Sequence, residues 1–526
     1  MAFTTLAFFL FTAVVITVYF LFPVRKYQWV ILLIADYVFY LYAGYKFAVF
    51  ILFTTVTIYA AARKIESLQL QSKAKLKENS KTWSKDEKKA YKVGVKRRKN
   101  TWLVLALVAN FGILVFLKYS NFLAGGINQL LGHAADGGPL PMLRLFLPLG
   151  ISFYTFQAAG YLIDVSRGAV KAEKNLLKFA LFISFFPQIV QGPISSFSQL
   201  AGQLTAEHKP EFVRFKLGLE LILWGYFKKL VIADRAVIAI NTLTKDYTQY
   251  TGTAILFVAL LYALQLYADF SGCMDIVLGV SEMFGIDRPE NFRQPFFSRS
   301  VAEFWRRWHI TLGNWLQDYL YYPVSMCPAA KRFIKNGPGK KKSRIRIVSC
   351  LSFFLLWMVM AVWHGPQIGF VFLGIQYAIV FIVTYLLGPT SKRFASNHPK
   401  LEENGFWKFF QRARTVILIW PVFLFAPTLS ELSASLGRIF TNFQAAKLFQ
   451  GGLFKFDLDA VQWILLFIGF LTMLIVSNIE VRKEKKITDL VLSQKLPVRI
   501  LIYWFALIMI LLSLSIQNTE FIYAQF

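Results

Sequence analysis

Two histidines stand where histidine is costly to keep. His364 closes the apolar run Trp357–Trp363 and is followed at once by Gly365-Pro366, while His309 ends the run Phe304-Trp305-Arg306-Arg307-Trp308. An ionisable side chain inside an apolar segment is expensive in a bilayer and is therefore a functional candidate. Histidine is the natural choice for moving a proton near neutral pH. Asp36, Asp269 and Asp275 share the apolar setting, whereas His133, His208 and His398 fall in polar loops.

Each candidate has a plain reading beside the chemical one. His364 lies where a helix must end, so its ring meets free backbone groups there, and Gly365 lets a substrate approach. A histidine satisfied by a neighbouring carbonyl is an equally good reading. On a continuous helix, Phe304, Trp308, Leu312 and Trp315 make one apolar face with His309 at its edge. An interfacial helix with snorkelling arginines explains the tryptophans and arginines but not His309. Asp269, Ser271 and Asp275 read as a polar network that locks spans together or orients a catalytic group. A proton or cation path through them keeps a transporter reading open.

The elements that must hold these residues are membrane helices. The 526 residues are 56% hydrophobic, 17% aromatic and only 17% charged, and the mean hydropathy is +0.49. Apolar runs near the spanning length recur at 3–22, 29–44, 46–62, 101–119, 143–163, 217–240, 253–283, 347–364, 367–387, 415–430, 461–478 and 500–517. No long soluble stretch separates them, so residues 1–526 read as a single membrane domain. Met1 to Phe22 has no basic residue before its apolar run, so it reads as a retained first span.

A net charge of +29 might suggest nucleic acid, but the basic residues cluster in short loops beside the spans and no nucleic-acid module is visible. Anionic lipids and a phosphate-bearing ligand are the better partners. The segment 63–100 is the most basic and reads as a helical hairpin or partly disordered cytoplasmic insert that orients the protein. With the basic loops inside, residues 176–194 and 303–330 begin and end on the cytoplasmic side. They therefore read as re-entrant segments facing a cavity, the second carrying His309. Three unpaired cysteines give neither a disulfide framework nor a metal site. Walker, HExxH and GxSxG motifs are absent, which leaves proton transfer by histidine in a dry cavity.

The run Asn291-Phe292-Arg293-Gln294-Pro295-Phe296-Phe297-Ser298-Arg299-Ser300, continuing through Phe304 to His309, resembles the membrane-bound O-acyltransferase (MBOAT) family. Pro148 to Gln157, Tyr267 to Gly272 and Trp363-His364-Gly365 are similar to family patterns in the same order. The similarity is to the bacterial branch of alginate O-acetylation and teichoic acid D-alanylation; Cys273 departs from an aromatic residue expected there.

The resemblance implies an all-α polytopic protein: a ring of about 11–12 transmembrane helices plus re-entrant helices around a central tunnel. It implies that His364 is the catalytic base and His309 the second histidine. The candidates for contacting the donor are Arg306, Arg307, Trp305, Asn291 and Trp363. It also implies no tightly bound cofactor, and an acyl donor that is acetyl-CoA or, alternatively, an acyl carrier protein thioester. The partner would be an extracytoplasmic acetyltransferase or polysaccharide-assembly protein, and the location the bacterial inner membrane. Transfer of D-alanyl or another acyl group to a teichoic acid-like polymer is the alternative. A transporter or flippase is the competing class, and inverted repeats that would favour it are absent. A non-catalytic scaffold leaves the two histidines unexplained.

Overall fold

A computed structural model describes the chain except residues 135, 137, 144, 420–428 and 515–526. The expected spans at 415–430 and 500–517 therefore lie partly outside the described residues. Among those described, the protein is helical, and its one antiparallel bridge joins Phe292 to Trp308. Among the described residues, six helices are long and apolar enough to cross a membrane: Tyr45–Glu78, Lys85–Leu130, Gly252–Met283, Lys341–His364, Ile368–Asn397 and Ala460–Lys483. Leu6–Leu21 and Leu496–Leu511 are apolar but shorter.

The other apolar runs make different helices. Ile151–Arg167 is buried along nearly its whole length. The run 217–240 lies in a helical stretch holding Lys228, Lys229, Asp234 and Arg235, all buried. Hydropathy alone does not separate a span from a helix buried within the protein.

By internal contacts the chain forms two units. The first contains Met1–Gly218 and Val280–Pro289, the second Leu219–Gly279 and the described residues from Glu290 onward. In the first, Leu176–Ser184 stops at Phe185, and a short helix restarts at Phe186-Pro187. The break strands backbone groups at depth, and Asp36 answers them. Its carboxylate accepts from the Phe186 N–H at 2.7 Å and the Ser184 hydroxyl at 3.1 Å. Asp36 thus has a structural occupation. Residues 63–100 form a helical hairpin: the helix Ala48–Glu78 runs on past its apolar part, and Lys85–Leu130 restarts with a Ser84–Glu87 capping box. Its base is tied down by Gln69, which donates to the Val165 and Ser166 carbonyls.

In the second unit, Lys341–His364 and Ile368–Asn397 pack as an antiparallel pair joined at Gly365. Gly365 has φ +155°, a conformation open essentially to glycine, so the turn falls where the sequence places it. Gly225 and Gly272 lie in helices that approach each other closely. A Cβ on Gly225 would meet the Gly272 carbonyl oxygen at 2.6 Å, and one on Gly272 would meet the Gly225 oxygen at 2.8 Å. That contact sets the next turn, the π-helical stretch Phe227–Ala233, against the acids of Gly252–Met283.

Candidate functional site

The site assembles in the second unit around His309. The helix predicted to carry His309 is not continuous. Val301–Arg307 ends, Trp308 is extended, His309 takes φ +44°, and a new helix runs Ile310–Leu316. The cause is tertiary, a short pairing with residues 291–293. Arg293 N donates to the Arg307 carbonyl at 2.9 Å, and Ile310 N donates to that of Asn291 at 3.0 Å. The left-handed backbone turns Leu316 inward with Phe304, Trp308 and Leu312, while Trp315 is only half-buried.

Asn291, expected among the donor contacts, is the support of His309. Its Oδ1 accepts from the Thr311 N–H at 3.1 Å and the Thr311 hydroxyl at 2.9 Å, and lies 3.2 Å from His309 Nδ1. A backbone N–H can only donate, so the amide oxygen is fixed on that side. An oxygen that accepts requires the hydrogen on Nδ1. The lone pair of His309 is then on Nε2, which makes Nε2 the basic nitrogen. Phe270 packs edge-on against the ring at 4.7 Å. The segment before His309 packs on the helix that ends in His364, with the Trp305 and Trp357 rings 4.6 Å apart.

His364 is the last residue of its helix and is half-buried. Its ring stacks on Phe370 at 5.3 Å and lies 4.8 Å from that of Trp363. The other expected donor contacts divide. Trp305 packs into an aromatic cluster with Trp357 and Tyr377, at 4.6 Å from each. Arg306 is exposed, and Arg307 pairs with Glu303 at 2.7 Å.

Asp269, Ser271 and Asp275 each meet a buried lysine that the sequence reading missed, in two neighbouring clusters. Lys229 bridges Asp269 at 2.7 Å and Asp234 at 3.0 Å. Lys228 binds Asp275 at 2.6 Å and the Ser271 hydroxyl at 2.9 Å. Two adjacent lysines diverge on a regular α-helix, and the widened π turn lets both reach one neighbouring helix. Arg235 is buried as well, donating to the Ser513 hydroxyl at 2.7 Å and the Leu512 carbonyl at 3.1 Å. The signal was present in Lys228-Lys229, two cations in mid-run, but an averaged window hides it.

A cavity of about 560 Å³ opens beside these clusters, lined by Lys228, Tyr267, Asp275, Asn291, Arg307 and Glu480, with Lys485 and Lys486 also in its wall. Asn291 thus links the cavity wall to His309. Among the described residues no group of three or more His, Cys, Asp or Glu is placed to hold a metal.

Residues 67–424 match the model of the MBOAT, membrane-bound O-acyltransferase family. The chain belongs to that family. MBOAT membership and the six apolar helices make it an all-α, multi-pass membrane protein. It is 31% identical over 71% of its length to a probable alginate O-acetylase of Pseudomonas syringae, the match covering 64% of that protein. It is 30% identical over 58% of its length to a peptidoglycan O-acetyltransferase of Helicobacter pylori, covering 59% of it. A teichoic acid D-alanyltransferase of Bacillus subtilis is 30% identical over 46% of the chain, with 59% of that protein covered. The matches thus span less than two thirds of the length of these relatives.

Proposed function

We propose that this protein is an O-acyltransferase of the bacterial inner membrane. It moves an acetyl group from a cytosolic thioester toward a hydroxyl of a cell-surface polysaccharide, or of a partner transferase that completes the reaction. The observation that carries this reading is a buried His309 held by Asn291, on a segment whose Trp305 packs against Trp357 of the helix that ends in His364. Acetyl is favoured over D-alanyl because the similarity to an alginate O-acetylase extends over 71% of the chain, against 46% for the teichoic acid enzyme.

In this mechanism His364 takes the proton of the acceptor hydroxyl as its oxygen attacks the thioester carbonyl. A carbon–oxygen bond forms, the carbon–sulfur bond breaks, and the proton passes from histidine to the departing thiolate. His309, whose Nε2 bears the lone pair, accepts a hydrogen bond from an N–H or O–H of the bound substrate and so orients it. The donor is acetyl-CoA, with an acyl carrier protein thioester as the alternative. Its phosphate-bearing arm fits the cavity edged by Arg307, Lys485 and Lys486.

The test is acetyl transfer by full-length protein in nanodiscs, with radiolabelled acetyl-CoA and an oligosaccharide acceptor. His364→Ala should lose activity by about a hundredfold or more while keeping its melting temperature. A fully active His364→Ala protein would overturn the assignment.

A further inference from the structure

The N-terminal end of helix Lys85–Leu130 carries a feature that membrane insertion does not account for. Lys85, Lys88, Lys89, Lys92 and Lys96 line one shallow groove along the arm. At about 100° per residue these positions, with Lys99, fall within roughly 60° of a single line down the helix. Glu87 lies elsewhere, engaged in the capping box.

Like charges at four-residue spacing weaken a helix by a few tenths of a kcal/mol each. The arm tolerates them through its Ser84 cap and a braced tip, where Lys75 lies over the rings of Trp83 and Tyr91 at 5.9 and 5.6 Å. Lys88 donates to the Ser80 carbonyl at 2.6 Å. Lys85, Lys89, Lys92 and Lys96 have no carboxylate partner among the described residues. The positive-inside rule counts cations near a span without regard to face. Orientation therefore explains their number and not their alignment.

We propose that this lysine face is a docking surface for a soluble protein presenting an acidic helical face. Distance argues against lipid as the occupant. The apolar part of the helix starts near Thr101, so Lys85 stands about 24 Å further along it, at 1.5 Å per residue. Head groups occupy only about 6 Å beyond the hydrocarbon, and their field decays over a Debye length of about 8 Å. Measured along the helix axis, Lys85, Lys88 and Lys89 are beyond that reach, Lys92 is at its limit and Lys96 within it. Composition argues against nucleic acid, because every position of the face is lysine, with Arg97 and Arg98 on other sides of the helix. Arginine is the residue of choice for nucleic-acid recognition, whereas flexible lysine point charges suit a fast, salt-sensitive encounter with a surface of opposite charge.

The experiment uses full-length protein in phosphatidylcholine nanodiscs, titrated with a fluorescent helical peptide bearing a stripe of glutamates. Replacing Lys85, Lys89, Lys92 and Lys96 together by Gln should weaken binding by about tenfold or more. The melting temperature should hold or rise, because repulsion is relieved. The same glutamates scattered around the helix should bind several-fold more weakly. Undiminished binding to the four-site variant, or equal binding of the scattered peptide, would overturn the proposal. So would tighter binding of a single-stranded RNA of equal charge, or loss of peptide binding in nanodiscs rich in phosphatidylglycerol.

Discussion

The protein keeps two populations of lysine under opposite rules. Lys228 and Lys229 are buried, and each is held by carboxylates within 3.0 Å. Along the arm, Lys85, Lys89, Lys92 and Lys96 are exposed and stand without carboxylate partners among the described residues. Burying an ammonium costs several kcal/mol unless good geometry offsets it, so the inner pair exists only with its acids. An exposed ammonium keeps its water and remains available to a visitor. The same side chain therefore fixes structure in one place and offers charge in the other.

The largest test of that contrast is Lys229→Ala. It strands Asp269 and Asp234 without their cation and should destabilise the second unit by about 3–5 kcal/mol, read as a large fall in melting temperature in detergent. A fall no larger than that of a surface substitution would break the comparison. Replacing Lys228 by Met and Asp275 by Leu together should cost much less than either change alone, because no unpaired charge is left. If the double variant is as unstable as Lys228→Met, the pair is not the unit that matters.

Glu290 sharpens the contrast from between the extremes. It is partly exposed and pairs with Lys486 at 2.9 Å and Arg293 at 3.1 Å. Burial opposes its ionisation, but the Lys486 ammonium and then the Arg293 guanidinium outweigh this and hold its carboxyl below the usual glutamate range. A depressed carboxylate pKa contributes stability above the unfolded value, which is lost as pH falls through the folded one. The advantage of wild type over Glu290→Gln should therefore be present at neutral pH. It should shrink as pH drops below the ordinary glutamate range and vanish once Glu290 is protonated. A pH-independent difference in melting temperature would assign the effect to packing.

Much of this was legible because it is local. The end of the helix at His364-Gly365-Pro366, the hairpin at 63–100 and the polar character of Asp269, Ser271 and Asp275 follow from neighbours in sequence. The break at His309 does not. It is imposed by pairing with Asn291 to Arg293, and the apolar spacing from Phe304 to Trp315 fits a continuous helix just as well. The support that Asn291 gives His309 was not legible for the same reason, since its partners His309 and Thr311 are distant in sequence. Lys228 and Lys229 were hidden inside an apolar average, and only the approach of Gly225 to Gly272 shows what their charges meet.

The widened turn Phe227–Ala233 carries an evolutionary consequence. A π stretch amounts to one extra residue lodged in an α-helix. Deleting that residue would restore α register and swing everything downstream by about 100°, taking Arg235 away from the Ser513 and Leu512 groups it binds. The insertion, the two lysines and their acids are thus a single heritable package. A lineage that drops one member should discard the others with it.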